Sequence, residues 1–334
     1  MRFGVGIPTA RDGLFYPAGF STPESVLAIT RSAEELGFYS AWGNDHITTQ
    51  RYVKARGEHP NFYDPLIVFA YLLPLTTRIR LGSAVVVAPL RNPVLLAKQA
   101  ITLDHLAKGR FILGIGLGAY REEFEALGGR GVRGHILDEV LQSLQLLLYQ
   151  ESPVTYEGKY IKFYGVEMRP KPLSRPFPLY IGGNSRQVVE RVARYAQGWI
   201  PACLSPEELA HKMGELSARA RELGRDPSTL EVAPEAICSI NQDRQQARKS
   251  FLLSHMFQHL LSLRNATLKN IKSFSEEEII KRNFVGTPSD IIKKLEQYRD
   301  IGLEHIWFDF VGSSLGEVLE QMKLFSLEVI PSFG

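Results

Sequence analysis

Three short stretches hold the side chains best suited to chemistry. WGNDHI, residues 42–47, places Asn44, Asp45 and His46 directly after a run that reads as a strand. An imidazole there can take or give a proton near neutral pH, and Asp45 or Asn44 can orient a neighbouring group. A loop histidine that only hydrogen-bonds backbone is the plainer reading. GIGLGAYREEFEALG, residues 114–128, sets Gly114, Gly116 and Gly118 before Ala119 and Tyr120. It makes a poor dinucleotide fingerprint, because the third glycine is missing from its place and no acidic residue ends a neighbouring strand at the usual offset. Its glycines either let a flat ring approach the backbone or relieve crowding between strands. In IGGNSRQVV, residues 181–189, Gly182 and Gly183 expose backbone N–H groups, and Asn184 and Ser185 stand where a helix begins. Such a loop can take a phosphate through free N–H groups and the helix dipole. Plain N-capping by Asn184 or Ser185 needs no ligand.

A fourth stretch, RLGSAVVVAPLRNP (80–93), puts small side chains, Gly82, Ser83 and Ala84, at the start of an apolar strand. Either packing demands them or a flat group lies against this backbone. There is no G-x-S-x-G elbow, H-E-x-x-H, Walker A loop or carboxylate cluster with metal spacing, so no metal site is expected. His105, His135, His211, His255 and His259 fall on predicted helices and read as surface or packing residues. Cys203 and Cys238 read as small buried hydrophobes.

The elements that must position these residues alternate regularly. Apolar runs at 2–8, 38–45, 78–89, 110–118, 178–183, 199–202, 229–240 and 305–312 read as strands, nearly all followed by helices. Thr22 with Pro23, and Asn92 with Pro93, are cap-and-start signals, and Gly37 and Gly109 end those helices. Two segments break the rhythm: 151–177, read as a hairpin and an extended crossing, and a long polar helical stretch near 243–283. Eight strand–helix units with strands apolar on both faces fit an α/β (β/α)8 TIM barrel with these two insertions. An open doubly wound sheet is the alternative. No linker or repeat is visible, so residues 1–334 read as one domain. In a barrel, chemistry sits in the loops after the strands, where the three stretches lie.

The bulk numbers agree with a globular protein. Hydrophobic residues are 44% of 334 and charged residues 22%, which excludes a disordered chain. A net charge of +3 without a dense basic cluster argues against a nucleic-acid partner. The N-terminus starts directly as a strand, without a signal-peptide pattern, and no apolar run approaches the roughly 20 residues of a membrane span. The expectation is a cytoplasmic protein with no membrane partner.

Taken together, GSAVVVAPLRNPVLLAKQAITLDHLAKGRFILGIGLG (82–118), RPFPLYIGGNSRQVVERVARYAQGWIPA (175–202) and VGTPSDIIKKLEQYRDIGLEHIWFDF (285–310) resemble the luciferase-like flavin-dependent oxidoreductases. The resemblance covers nearly the whole chain. It implies a barrel that binds reduced FMN or coenzyme F420 at the strand C-termini, and a homodimer. It implies a ring resting on strand three, at Ser83, Ala84 and Val85, with a non-prolyl cis peptide at Ala84–Val85. It implies a phosphate at Gly182, Gly183, Asn184 and Ser185, and cofactor contacts from Gly116, Gly118, Ala119, Tyr120 and Arg133. His46 and Asp45 would stand beside the reactive edge as the catalytic residues, with Trp42, Tyr120 and Trp199 excluding water. Ile136 replaces a second arginine found in many relatives, and Ala119 stands where sugar-phosphate dehydrogenases of the deazaflavin branch carry glutamate, which disfavours sugar-phosphate oxidation. The activity implied is a monooxygenase using reduced FMN and O2 on a small organic substrate. The alternatives are F420-dependent hydride transfer to or from such a substrate and a non-catalytic flavin-binding barrel.

Overall fold

The computed structural model describes residues 1–129, 131–263 and 275–334. Its strands are β1 (Arg2–Ile7), β2 (Ser40–Gly43), β3 (Arg80–Ser83), β4 (Val86–Val87), β5 (Phe111–Gly116), β6 (Val154–Glu157), β7 (Lys162–Val166), β8 (Leu179–Gly182), β9 (Gly198–Ile200), β10 (Glu231–Val232), β11 (Glu235–Ile240), β12 (Phe284–Gly286) and β13 (His305–Phe310). All but β6 and β7 form one parallel sheet in the order β10-β9-β8-β5-β3-β2-β1-β13-β11-β12, with β4 beside β5. The sheet is curled. The stretch expected as a single strand at 229–240 is divided at Pro234, which has no N–H to give. Before the break, β10 pairs with β9; after it, β11 pairs with β13, while Glu235 N–H still donates to Pro201 O at 2.8 Å. This stretch therefore touches both ends of the run from β13 through β1 to β9.

Helices cover the outside, and their starts follow the capping signals. Thr22 and Ser25 form a capping box at Pro23–Glu35, and Asn92 accepts from Val94 and Leu95 N–H at the start of Pro93–Ala107. The stretch near 243–283 is not one long helix. Ser254 ends Arg244–Leu253 and caps His255–Ser262, Glu276–Arg282 follows, and β12 then pairs with β11; the part at 264–274 lies outside the described residues. The segment 151–177 carries the expected hairpin, β6 against β7. Glu139 on helix Arg133–Tyr149 accepts from the N–H groups of Lys159, Tyr160 and Ile161, pinning the hairpin to the outer helices. Among the described residues no helix is long and apolar enough to cross a membrane.

Two cores result. The larger lies between sheet and helices. A smaller plug fills the curl of the sheet: Trp42, Ile112, Tyr180, Ile200, Ala233 and Trp307, with Ala84 and Val85 against it. Glycines make room for its bulk. A Cβ on Gly82 would come within 2.5 Å of the Trp42 ring, and one on Gly198 within 2.5 Å of Tyr180. Gly82 is thus small for an indole inside the fold, which answers half of the question raised by its position. Below the plug, His305 Nδ1 meets Glu231 Oε1 at 2.6 Å and its Nε2 meets Ser40 Oγ at 2.8 Å. Ser40 and His305 are fully buried and Trp42 Nε1 donates to the same hydroxyl, so this Ser–His–Glu chain seals the N-terminal end of the sheet rather than offering a nucleophile.

Candidate active site

A cavity of about 420 Å³ opens at the C-terminal ends of the strands. One wall comes from Ala84, Val85 and Val87, from Gly116 through Tyr120, and from Gly182 through Ser185; the facing wall includes Arg11, Phe15, Cys203, Glu235 and His259. Asn44, Asp45 and His46 join the two. Most of the residues singled out in the sequence are brought together here, although β2, β5 and β8 are far apart in the chain.

The loop after β2 is held by its own polar groups. Asn44 accepts from Ala10 N–H at 3.1 Å and donates to Ala10 O at 2.8 Å, tying it to the loop after β1. Asp45 accepts three contacts from Arg91 and one from Val87 N–H at 3.1 Å. Burial raises its carboxyl, against the opposing pull of Arg91. Both oxygens are engaged, tying the loop after β2 to Arg91 and to strand β4. His46 is the free agent of the set. Its Nδ1 lies 2.7 Å from Glu123 Oε1, which also accepts from Ile47 N–H. Glu123 is fully buried, and its other oxygen has no hydrogen-bond partner among the described residues. A carboxylate on Nδ1 fixes that nitrogen as the donor and leaves Nε2 for the cavity.

The peptide Ala84–Val85 is cis, as the resemblance implies. Its neighbours explain the glycines of β5 and β8. A Cβ on Gly116 would stand 2.5 Å from one Val85 methyl, one on Gly182 would stand 2.6 Å from the other, and one on Gly114 would meet Ser83 O at 1.9 Å. These glycines admit the bulged strand between them, so relief of crowding is their immediate role. Ser83 itself does not line the cavity. Its hydroxyl donates to Gly114 O at 2.8 Å and accepts from Gly114 N–H at 2.9 Å, locking β3 to β5. Arg133 also stands outside the lining, with Nη1 donating to Gly118 O at 3.2 Å and its guanidinium over the Phe124 ring. Trp42 and Trp199 are buried within the fold; of the three aromatic residues expected to exclude water, Tyr120 alone reaches the cavity.

In the loop after β8, the Asn184 amide is spent on Ala202, accepting from its N–H at 3.0 Å and donating to its O at 2.8 Å. Ser185 caps helix Arg186–Tyr195 by accepting from Val188 N–H. Gly183, at φ +122°, has the backbone freedom the turn needs. The loop still borders the cavity with the helix start exposed to it.

Several residues of the site carry no sequence signal. Glu123 lies 77 positions from His46, and no spacing rule joins them. His259, expected to pack or face solvent, is buried at the cavity, with Tyr52 OH 2.9 Å and Tyr120 OH 3.4 Å from its Nδ1. Burial, with the positive charges of Arg11 and Arg56 adding to it, lowers it to about 3, so it is a neutral acceptor. Arg11, Asp309 and Glu235 form an ionisable cluster opposite the glycine wall. No residue of 151–177 lines the cavity, whereas helix His255–Ser262 supplies His259 and Leu260.

Comparison with known proteins adds the family. The family model described as luciferase-like monooxygenase matches residues 1–305. The alkanal monooxygenase alpha chain of Photorhabdus laumondii subsp. laumondii is 25% identical over 365 aligned positions, covering 99% of this chain and 97% of its own length. The F420-dependent glucose-6-phosphate dehydrogenase of Kineococcus radiotolerans is 29% identical over 333 positions, covering 92% and 93%. Among solved structures, the monooxygenase RslO1 from Streptomyces bottropensis superposes over 100% of both chains with a TM-score of 0.83 at 21% identity, a likeness of fold.

Proposed function

The chain belongs to the luciferase-like monooxygenase family, and from that premise we propose that it is an oxidoreductase binding a reduced flavin in the cavity described. The observation that carries the reading is the cavity itself: a glycine-lined wall around Val85 faces a histidine whose Nδ1 is fixed by a buried carboxylate. The residues fit the group. Ala84, Val85 and Gly116 through Tyr120 would hold the ring, with Ser83 and Arg133 steadying that wall from behind. Asn184 and Ser185, at the start of a ten-residue helix, would take the phosphate through backbone N–H groups, with Gly182 and Gly183 leaving room for its approach, since the Gly183 N–H donates instead to Ile200 O. When bound, the reduced flavin supplies the electron pair and, as FMN, reacts with O2. The chain's own part is to hold His46 Nε2 ready to move a proton, to position the loops through Asp45 and Arg91, and to keep water out with Phe15 and Tyr120.

FMN with O2 and a small organic substrate is the first reading. Coenzyme F420 is the second, favoured by the 29% identity to an F420-dependent dehydrogenase. Ala119 argues against sugar-phosphate oxidation within that branch. The curled sheet supports a (β/α)8 barrel, with β3 and β4 counted as one strand, β10 and β11 as another, and β12 as an addition beside β11. On this count residues 1–334 are one domain. Two buried free cysteines fit a cytoplasmic location. Titration with FMN, F420 and their reduced forms, read by absorbance and fluorescence, tests the proposal. Tight binding of FMN is expected; tight binding of F420 alone overturns the first reading, and binding of neither overturns both.

A further inference from the structure

Opposite the glycine wall, two carboxylates share one cation. Arg11, in the loop after β1, is 1% exposed, and its Nη1 lies 2.6 Å from Asp309 on β13, itself fully buried. The same Nη1 lies 3.7 Å from Glu235 on β11, whose side chain is 23% exposed and opens onto the cavity. Gly6 leaves the space for this group, since a Cβ there would stand 1.8 Å from Asp309 Oδ1. Among the described residues, Arg11 is the only cation within ion-pair distance of either acid, and neither Asp309 oxygen accepts a regular hydrogen bond. The other titratable groups facing the cluster carry no charge to help. Tyr16, from the loop after β1, donates to Phe310 O and is raised by burial. Cys203, after β9, is pushed up to about 12 by burial. His259, on the helix above, is neutral.

One guanidinium does not hold two carboxylates ionised in a site this closely packed. We infer that Glu235 keeps the one proton this cluster retains and selects uncharged substrates whose oxygen accepts a hydrogen bond from it. Asp309, at 2.6 Å, takes the ion pair with Arg11 and is the ionised member. Glu235, farther from the cation and facing the cavity, is the neutral one. Burial raises both carboxyls, and for Glu235 the neighbouring Asp309 charge adds to it, with Arg11 offsetting only part. The cavity lining that includes Glu235 also carries apolar Phe15, Ala236, Ile237 and Leu260. The fitting ligand is an apolar molecule bearing a ketone, aldehyde or hydroxyl oxygen. A carboxylate or phosphate would set a further negative charge against Asp309. This inference rests on the reading of the cavity as a substrate site.

Infrared spectroscopy of the full chain at pH 7 tests the proton directly. A protonated-carboxyl band is expected that is lost in Glu235→Gln and also in Asp309→Asn, where Glu235 faces Arg11 alone and ionises. In the unsubstituted chain, isotopic labelling of glutamate carboxyl carbons should shift the band, and labelling of aspartate should not. A band unchanged in Glu235→Gln, shifted by aspartate labelling, or absent from the unsubstituted chain overturns the inference. Calorimetric titration with cyclohexanone, cyclohexanecarboxylate and cyclohexylammonium tests selectivity. The ketone should bind roughly tenfold tighter than either ion, the scale of one hydrogen bond against a charge penalty. Tightest binding by either ion, or no binding of the ketone, overturns it. Flavin titration of the same samples separates the two proposals: loss of flavin binding with band and preference intact sinks the flavin reading alone.

Discussion

In the proposed reading, His46 acts through a partner. Glu123 fixes Nδ1 from a fully buried position, so the imidazole presents one nitrogen to the cavity in a set orientation. Removing the imidazole with His46→Ala should lower turnover by about 10²–10⁴-fold, the usual worth of a positioned acid–base group. Glu123→Gln keeps an oxygen for Ile47 N–H but removes the charge behind His46, and should lower kcat roughly tenfold or more by the same physics while leaving flavin affinity unchanged. Steady-state kinetics with a separate flavin titration checks both, and full turnover in His46→Ala would take His46 out of the mechanism. His46 was legible because a histidine just after a strand is unusual. Glu123 was in plain view within REEFEALG, yet only folding brings it to the ring.

Strands β5 and β8 are shaped by the bulge of β3 and β4 that they flank. Gly116 and Gly182 stand on either side of Val85, each too close to it to carry a side chain. Gly116→Ala should therefore cost about 1–3 kcal/mol by overpacking and weaken flavin binding. Adding Val85→Ala should restore most of the stability, because it removes the methyl groups in the way. Urea unfolding of the two single variants and the double variant checks this; additive losses would show that the glycine answers to something other than Val85. The glycines were readable as a group with two possible reasons. The choice between ring access and strand crowding depended on which strand lay beside them. The capped helices needed no such help, since Thr22, Asn92 and their prolines act on neighbours in the chain.

At the scale of the whole molecule, helices Pro65–Leu72 and Pro93–Ala107 leave an apolar surface: Ile67 is 67% exposed, Tyr71 47% and Leu95 60%. These two helices touch each other, and we propose that their exposed apolar side chains face a second copy of the chain. Ile67→Glu with Leu95→Glu should convert a dimer to a monomer in sedimentation velocity; a monomeric unsubstituted chain would remove the proposal. The alternation of strands and helices, the caps and the place of the chemistry at strand ends were all set by the sequence, because each depends on residues within a few positions of one another. The break at Pro234, the extra strand β12, the turning of Ser83 and Arg133 away from the cavity, and the cluster of Arg11, Asp309 and Glu235 were decided only by the tertiary structure. Glu235 and Arg11 are unremarkable in the chain. They become one electrostatic unit because the sheet curls, bringing its first strand beside its last and leaving two acids to share one cation.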